Sequence, residues 1–281
     1  FQKKVSNFLK TKHHTIKINK EDIANNFEKV INHTESILFR TAPVPMFLLN
    51  KKVSKQKHKV FFTGEGADEM TLGYDIFFEN RIRKYWSKEP NSKNIPNLFS
   101  KLYKYLPQFQ NKRYLNLTLD FYKKFINFKN NDHIFSHRVR WSQFSQVSAY
   151  FNIKSSKIKK QLIKDVNTIL KKNNIFSLNS DEKCQILEFN TLLSNYLLSS
   201  QGDRVSMANS VEGRYPYLDN NFTEFYSKIN SNLKAPEMES KKLLREAFRN
   251  KLPKEIINRP KIAYQAPEAK AFLDHNYISK C

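Results

Sequence analysis

The chain has 281 residues, and 49 Lys plus Arg against 26 Asp plus Glu give it a formal net charge of +23. Hydrophobic residues at 40% and aromatics at 14% supply a real core and exclude wholesale disorder. No apolar run approaches the roughly 18–20 residues of a membrane-spanning helix, and two cysteines, Cys184 and Cys281, exclude a disulfide framework or a four-thiolate zinc site. A reducing, cytoplasmic setting is expected. The chain opens at Phe1-Gln2 without an initiator Met or signal peptide, which reads as a fragment or processed product. Lys and Arg are spread along it, with concentrations at 51–59 and 154–172. With no zinc-finger spacing and no ribonucleoprotein aromatic signature, the charge is read as surface charge rather than as a nucleic-acid site.

Val5, Phe8 and Leu9 fall at helical spacing, and His13–Ile18 alternates like a short strand. An amphipathic helix is expected over Asp22–Ile37, with Ile23, Phe27, Val30 and Ile31 on one side. Pro43 and Pro45 punctuate the next stretch, and Met46–Val53 reads as helix. Val60-Phe61-Phe62-Thr63 is a continuous apolar run ending in Gly64, expected as a parallel strand buried on both faces. From about Arg81 the strand signal fades, and residues 90–180 read as short helices and loops. The basic run at 154–172 has the spacing of a solvated helix face. Ser180-Asp181-Glu182 carries a helix-start signature, and a last helix is expected over Lys241–Lys251, with Leu243, Leu244, Ala247 and Phe248 as its apolar stripe. The fold class is therefore α/β: an incomplete parallel-sheet domain (1–85) followed by a predominantly helical part (86–281).

Glycine is scarce. Five copies stand where average usage of about 7% would give roughly 20. Gly64, Gly66 and Gly73 lie in Thr63-Gly-Glu-Gly-Ala-Asp-Glu-Met-Thr-Leu-Gly-Tyr74, directly after the expected strand. Ligands in open α/β sheets bind beyond the carboxyl ends of strands. Gly64 and Gly66 would leave backbone N–H groups open to a phosphate, while Asp68 and Glu69 can reach a divalent cation; a plain surface turn with solvated acids is the alternative. Gly202 and Gly213 lie in a second segment, where Asp203, Arg204, Glu212, Arg214 and Asp219 crowd around Pro216. Such charges either hold a polar ligand or pair with each other.

Together these segments resemble the synthetase domain of the glutamine-dependent asparagine synthetase family. Thr63-Gly-Glu-Gly-Ala-Asp-Glu69 matches that family's Ser-Gly-Glu-Gly-Ser/Ala-Asp-Glu loop. Asp203-Arg-x-Ser-Met-Ala-x-Ser-x-Glu-x-Arg-x-Pro-Tyr-Leu-Asp219 matches its second signature. Lys241-Lys-Leu-Leu-Arg-Glu-Ala247, Leu252-Pro253 and Arg259-Pro-Lys261 match its C-terminal pattern, and His13-His14 and Thr41-Ala-Pro-Val-Pro-Met46 fit as well. The resemblance spans essentially the whole chain and is weakest between about 90 and 180. Gly73–Phe77 through Trp86, with His137-Arg-Val-Arg-Trp141, is similar to the subgroup of bacterial exopolysaccharide clusters. Three departures stand out. The family's N-terminal Ser-Gly-Gly-x-Asp-Ser loop and its cysteine-nucleophile glutaminase domain are absent from this sequence, and Thr71-Leu72 replaces a common Phe-Gly.

The resemblance implies a nucleotide-binding fold of the ATP pyrophosphatase type and an ATP-dependent amide ligase. Such an enzyme adenylates a carboxylate, aspartate first among the acceptors, and transfers glutamine-derived ammonia to give asparagine. ATP would lie against Gly64, Glu65, Gly66 and Tyr74, and Asp68 would help hold Mg2+. Lys241 aligns with the catalytic lysine that neutralises phosphate charge. Glu65 serves either as the base for ammonia or as a buttress of the loop. Asp203, Arg204, Glu212 and Arg214 would line the substrate site. A glutaminase domain in a longer parent is the implied partner, with neither a specific nucleic acid nor a membrane span. The alternatives are an amidotransferase acting on a sugar or peptide carboxylate, and a non-catalytic remnant lacking the pyrophosphatase loop.

Overall fold

Val60-Phe61-Phe62 does form a strand. In the computed structural model, which describes residues 1–142, 153–172, 174 and 177–273, β1 (Val60–Phe62) runs parallel to β2 (Glu212–Arg214). Phe61 sits opposite Gly213, and the pairing extends through Glu212 N–H to Lys59 O at 2.8 Å and Thr63 N–H to Arg214 O at 3.0 Å. The expectation of burial on both faces is corrected: Val60 is 45% and Phe62 78% exposed, and only Phe61 turns inward. The sheet has two strands among the described residues, so its outward side chains have nothing to pack against.

The described chain divides into two compact units, each assembled from separate stretches: Phe1–Ala67 with Thr191–Lys228 and the chain from Leu243 onward, and Asp68–Asn190 with Ile229–Lys242. The first unit holds the sheet and a core of Ile23, Val30, Val44, Phe47 and Val205. Its Lys20–Thr34 helix starts on an Asn19–Asp22 capping box and stops at Glu35, which is left-handed (φ 49). Ile23 and Val30 are buried as the periodicity predicts, whereas Ile31 at the rim of the stripe is exposed. Pro43 and Pro45 open the Pro43–Lys55 helix instead of delaying it to Met46, since a proline in the first turn surrenders no helical hydrogen bond. His13–Ile18 forms no strand, since no ladder joins it to another strand among the described residues.

The second unit is helical. Its core joins Ile76, Phe77, Ile82 and Trp86 of the Asp75–Lys88 helix to Phe99, Leu102, Phe109 and Tyr122. A charged pair lies inside it. The fully buried Arg83 guanidinium meets Glu79 at 3.1 Å and donates to the carbonyls of Phe125, Phe135 and Ser136, while Glu79 accepts from the hydroxyls of Tyr103 and Tyr122. Nη1 and Nη2 of Arg83 thus reach carbonyls, while its Nε has the ion-pair contact with Glu79 alone, and these contacts make the buried pair tolerable. The Ser155–Lys172 helix buries only Val166 and Leu170, so its lysines are solvated as expected. The helix predicted from Ser180 spans Ser180–Glu188, with Asn179 rather than Ser180 as its cap. Glu188, at its end, is buried. Desolvation alone would raise its pKa, but His137 Nε2 at 2.8 Å and Arg140 Nη1 at 2.6 Å hold it below the usual carboxylate range.

Candidate active site

The residues singled out in the sequence fall into two groups, one in each unit. In the second unit the Asp68 and Lys241 side chains meet, Lys241 Nζ lying 2.9 Å from Asp68 Oδ1. Both are largely withdrawn from solvent, at 23% and 15% exposure. Lys241 is not in the first turn of a helix. It precedes the Lys242–Ala247 helix in the left-handed region (φ 57), whereas the sequence predicts the helix to begin at Lys241. That helix is shorter than predicted and buries no residue, because Ala247 and Phe248 face solvent.

Two features hold Asp68 against the lysine. Gly73 N–H donates to Asp68 O at 2.7 Å, closing the turn. A Cβ on Gly73 would overlap Asp68 Oδ1 and lie 2.5 Å from Lys241 Cε, so only glycine permits this approach. Leu72, at the position where the family commonly has glycine, is left-handed (φ 52) and fully buried. That conformation costs about 1–2 kcal/mol for a residue with a Cβ, and burial of the leucine side chain offsets it. The tight turn is therefore kept despite the substitution.

The neighbouring acid is tied down differently. Glu69 is buried and accepts from Tyr74 Oη at 2.8 Å, while Gln185 Nε2 donates to the carbonyls of Glu69 (2.7 Å) and Met70 (3.1 Å). Desolvation lifts the Glu69 carboxyl to about 7 against the lowering effect of Tyr74. Burial, with Glu69 beside it, pushes the Tyr74 phenol far up, so Tyr74 acts as a neutral donor. Raised above its unfolded value of 4.5, Glu69 stabilises the fold fully below pH 4.5, and that contribution is lost as pH rises to about 7. Glu69→Gln is therefore expected to flatten the stability–pH profile between pH 4.5 and 7, removing a slope on the order of 2–3 kcal/mol across that window. Denaturant melts at several pH values check this, and an unchanged slope would remove Glu69 as its source.

The first unit carries the other group. Gly64 is exposed, with open space where a side chain would stand, and Gly66 has φ +85 and lies against Leu218. Glu65 is half-buried, near enough to the Tyr215 phenol to raise its pKa after burial and Asp203 have done so. Tyr215 Oη donates to Asp203 Oδ1 at 2.7 Å. Sequence reasoning missed Tyr215, although its signal was present: Gly202 and Gly213 each stand where a Cβ would come within 3.0 Å of its hydroxyl. The two glycines of the second motif thus both leave room beside this phenol, and Gly202 also lets the Leu197 carbonyl approach, 2.8 Å from where its Cβ would stand. The remaining charges take protein partners. Arg204 donates to Thr34 O and lies 3.7 Å from Glu35, and Arg214 pairs with Glu212 at 2.7 Å along β2, both exposed.

The sequence model of the asparagine synthase family matches residues 1–280. The chain belongs to the asparagine synthase family. It is similar to amidase chyE of Penicillium rubens (27% identity over 94% of this chain and 40% of that protein) and to glutamine-hydrolysing asparagine synthetase 1 of Bacillus subtilis (26%, 89% and 37%). A third relative, amidase chry2 of Gibberella zeae, is 25% identical over 94% of this chain and 40% of its own length. The chain thus spans about two fifths of the curated relatives it matches. Among the described residues no helix is long and apolar enough to cross a membrane, and no group of three or more His, Cys, Asp or Glu side chains is placed to hold a metal ion.

Proposed function

We propose that this chain supplies the ligase chemistry of an ATP-dependent amide-forming enzyme. The observation that carries the reading is the meeting of Asp68 and Lys241, which brings the glycine-loop acid and the C-terminal lysine to one place. Each neutralises the other in the free protein. With nucleotide bound, Lys241 would turn to the phosphate oxygens, and Asp68 would be released to a cation.

In this reading the acceptor carboxylate attacks the α-phosphorus of ATP, giving an acyl-adenylate and pyrophosphate. Ammonia, drawn from glutamine by a glutaminase domain of the longer parent, then attacks the acyl carbon and releases AMP. Lys241 stabilises charge that grows on the departing pyrophosphate, a role best filled by a preorganised cation in a site with little water. A fold of the ATP pyrophosphatase type is part of the same reading, with the backbone N–H groups at Gly64 and Gly66 open to a phosphate. Glu65, held near Tyr215, either takes the proton from ammonia or braces the loop.

A single carboxylate does not make a metal cage. It does fit Mg2+, which keeps several waters and is held by one or two carboxylates together with substrate phosphates. Asp68 is that carboxylate, and the metal would supply charge neutralisation at the pyrophosphate. Glu69 is a poor ligand, being buried, hydrogen-bonded to Tyr74 and close to half-protonated at neutral pH.

Aspartate is the acceptor by likeness to the Bacillus subtilis relative. A second reading, amidation of a different carboxylate, is favoured by the two fungal relatives, which are named amidases. Magnesium titration of AMP formation tests the site in either case. Asp68→Asn keeps the size of the side chain and removes its charge, and it is expected to raise the magnesium concentration for half-maximal rate by about tenfold or more. An unchanged magnesium requirement would take Asp68 out of the metal site.

A further inference from the structure

The second unit contains a cavity of about 320 Å³ to which the ligase reading gives no role. Its wall is formed by Lys84 from the Asp75–Lys88 helix, by Phe128, Asn130, His133 and Phe135, and by Lys183 from the Ser180–Glu188 helix. Three features set it apart from the general surface charge.

The first is unpaired cation. Lys84 and Lys183 are both half-buried, and neither has an ion-pair partner among the described residues. Lys84 Nζ sits over the Phe128 ring, 4.9 Å from its centroid. The acid in the lining, Asp132, is already held by Arg138 Nη2 at 2.5 Å and caps Ile134 N–H. The second is an orphaned polar atom: His133 Nδ1 is buried without a hydrogen-bond partner. Burial and then the nearby Lys183 charge hold this imidazole below its usual pKa, so it is neutral at pH 7 and adds a hydrogen-bonding group rather than a third charge. The third is an apolar floor. Phe128 and Phe135 meet edge-to-face with centroids 5.0 Å apart.

A half-buried lysine without a counter-ion is costly, and two facing one cavity are most simply satisfied by an anion. The volume lies at the lower end of small-molecule pockets, about 300–1,000 Å³. A free phosphate would leave the aromatic floor uncovered. We propose that this cavity binds a small organic phosphate, its phosphoryl group between Lys84 and Lys183 and its carbon skeleton against Phe128 and Phe135. The cavity shares no residue with the Asp68–Lys241 site, so the two proposals stand or fall separately.

Calorimetric titration with glycerol 3-phosphate, with glycerol as the control, tests this. Charge-assisted hydrogen bonds of this kind make each of Lys84→Met and Lys183→Met weaken binding by about tenfold or more. The double variant is expected to show no saturable binding, whereas Lys241→Ala keeps the wild-type affinity. Glycerol binding as tightly as its phosphate, no saturable binding by the wild type, or wild-type affinity in the double variant would each overturn the proposal. Loss of the glycerol 3-phosphate affinity in Lys241→Ala would overturn it too, by moving the phosphate to the other site. Circular dichroism monitors the fold, and the single variants decide the matter if the double variant is not native.

Discussion

Lys241→Ala is expected to lower turnover by about 10²–10³, the range seen when one preorganised donor is taken from a developing negative charge. It is also expected to destabilise the protein. Lys241 is an ion-pair partner rather than a free surface side chain, and its removal leaves the Asp68 carboxylate mostly buried without its cation. Losing one partner of such a pair costs about 1–3 kcal/mol at this degree of burial. The two effects separate in the double variant: Asp68→Asn with Lys241→Ala is expected to recover much of the stability and none of the turnover. Chemical denaturation and single-turnover kinetics on the three variants check both. Near-wild-type turnover in Lys241→Ala would remove the lysine from the chemistry and leave it a structural role.

Gly73→Ala is expected to be nearly as damaging, although it deletes nothing. The added methyl would overlap Asp68 Oδ1 and crowd Lys241 Cε, so the turn must open or the pair must part. Overpacking of this kind costs about 1–3 kcal/mol. Because the displaced atoms are the two charged groups of the site, activity is expected to fall by about 10² or more, as it does when catalytic groups shift by an ångström. Gly64→Ala is the control for stability: a Cβ there meets nothing within 4 Å, and the expected change is within about ±0.5 kcal/mol. Equal stability in the two variants would mean that the Gly73 turn relaxes without disturbing the pair.

The candidate residues were picked out in the chain by local signals. The Val60–Phe62 run followed by Gly64 marks a strand and its exit, and the other four glycines, confined to the same two segments, mark places of close approach. What pairs with what was not readable. That Arg204 reaches Thr34 and that Asp68 finds Lys241 are outcomes of tertiary folding between residues far apart in the chain. Tyr215 was overlooked because its importance lies in the space that Gly202 and Gly213 leave. The buried Arg83–Glu79 pair escaped for a similar reason: on a helix, i and i+4 charges usually read as a solvated face. His13–Ile18 shows the converse, since alternation predicts a strand only where another strand is available to pair with it.

The left-handed residues form another class invisible to pattern. Leu72, Glu237, Met238 and Lys241 all have positive φ, and none is glycine or asparagine. Three of the four lie in the short stretch that delivers Lys241 to Asp68, where backbone strain is balanced by contacts that propensity does not record.

Carboxylate-dependent ATP–pyrophosphate exchange, measured on the protein and on Asp68→Asn and Lys241→Ala, bears most directly on the ligase assignment. Exchange in the wild type is predicted to require magnesium and an acceptor carboxylate together, with aspartate the first to be tried, and to fall by about 10² or more in both variants. Exchange that persists at the wild-type rate in the two variants, or that runs without any carboxylate, would contradict the assignment of adenylation to the Asp68–Lys241 site.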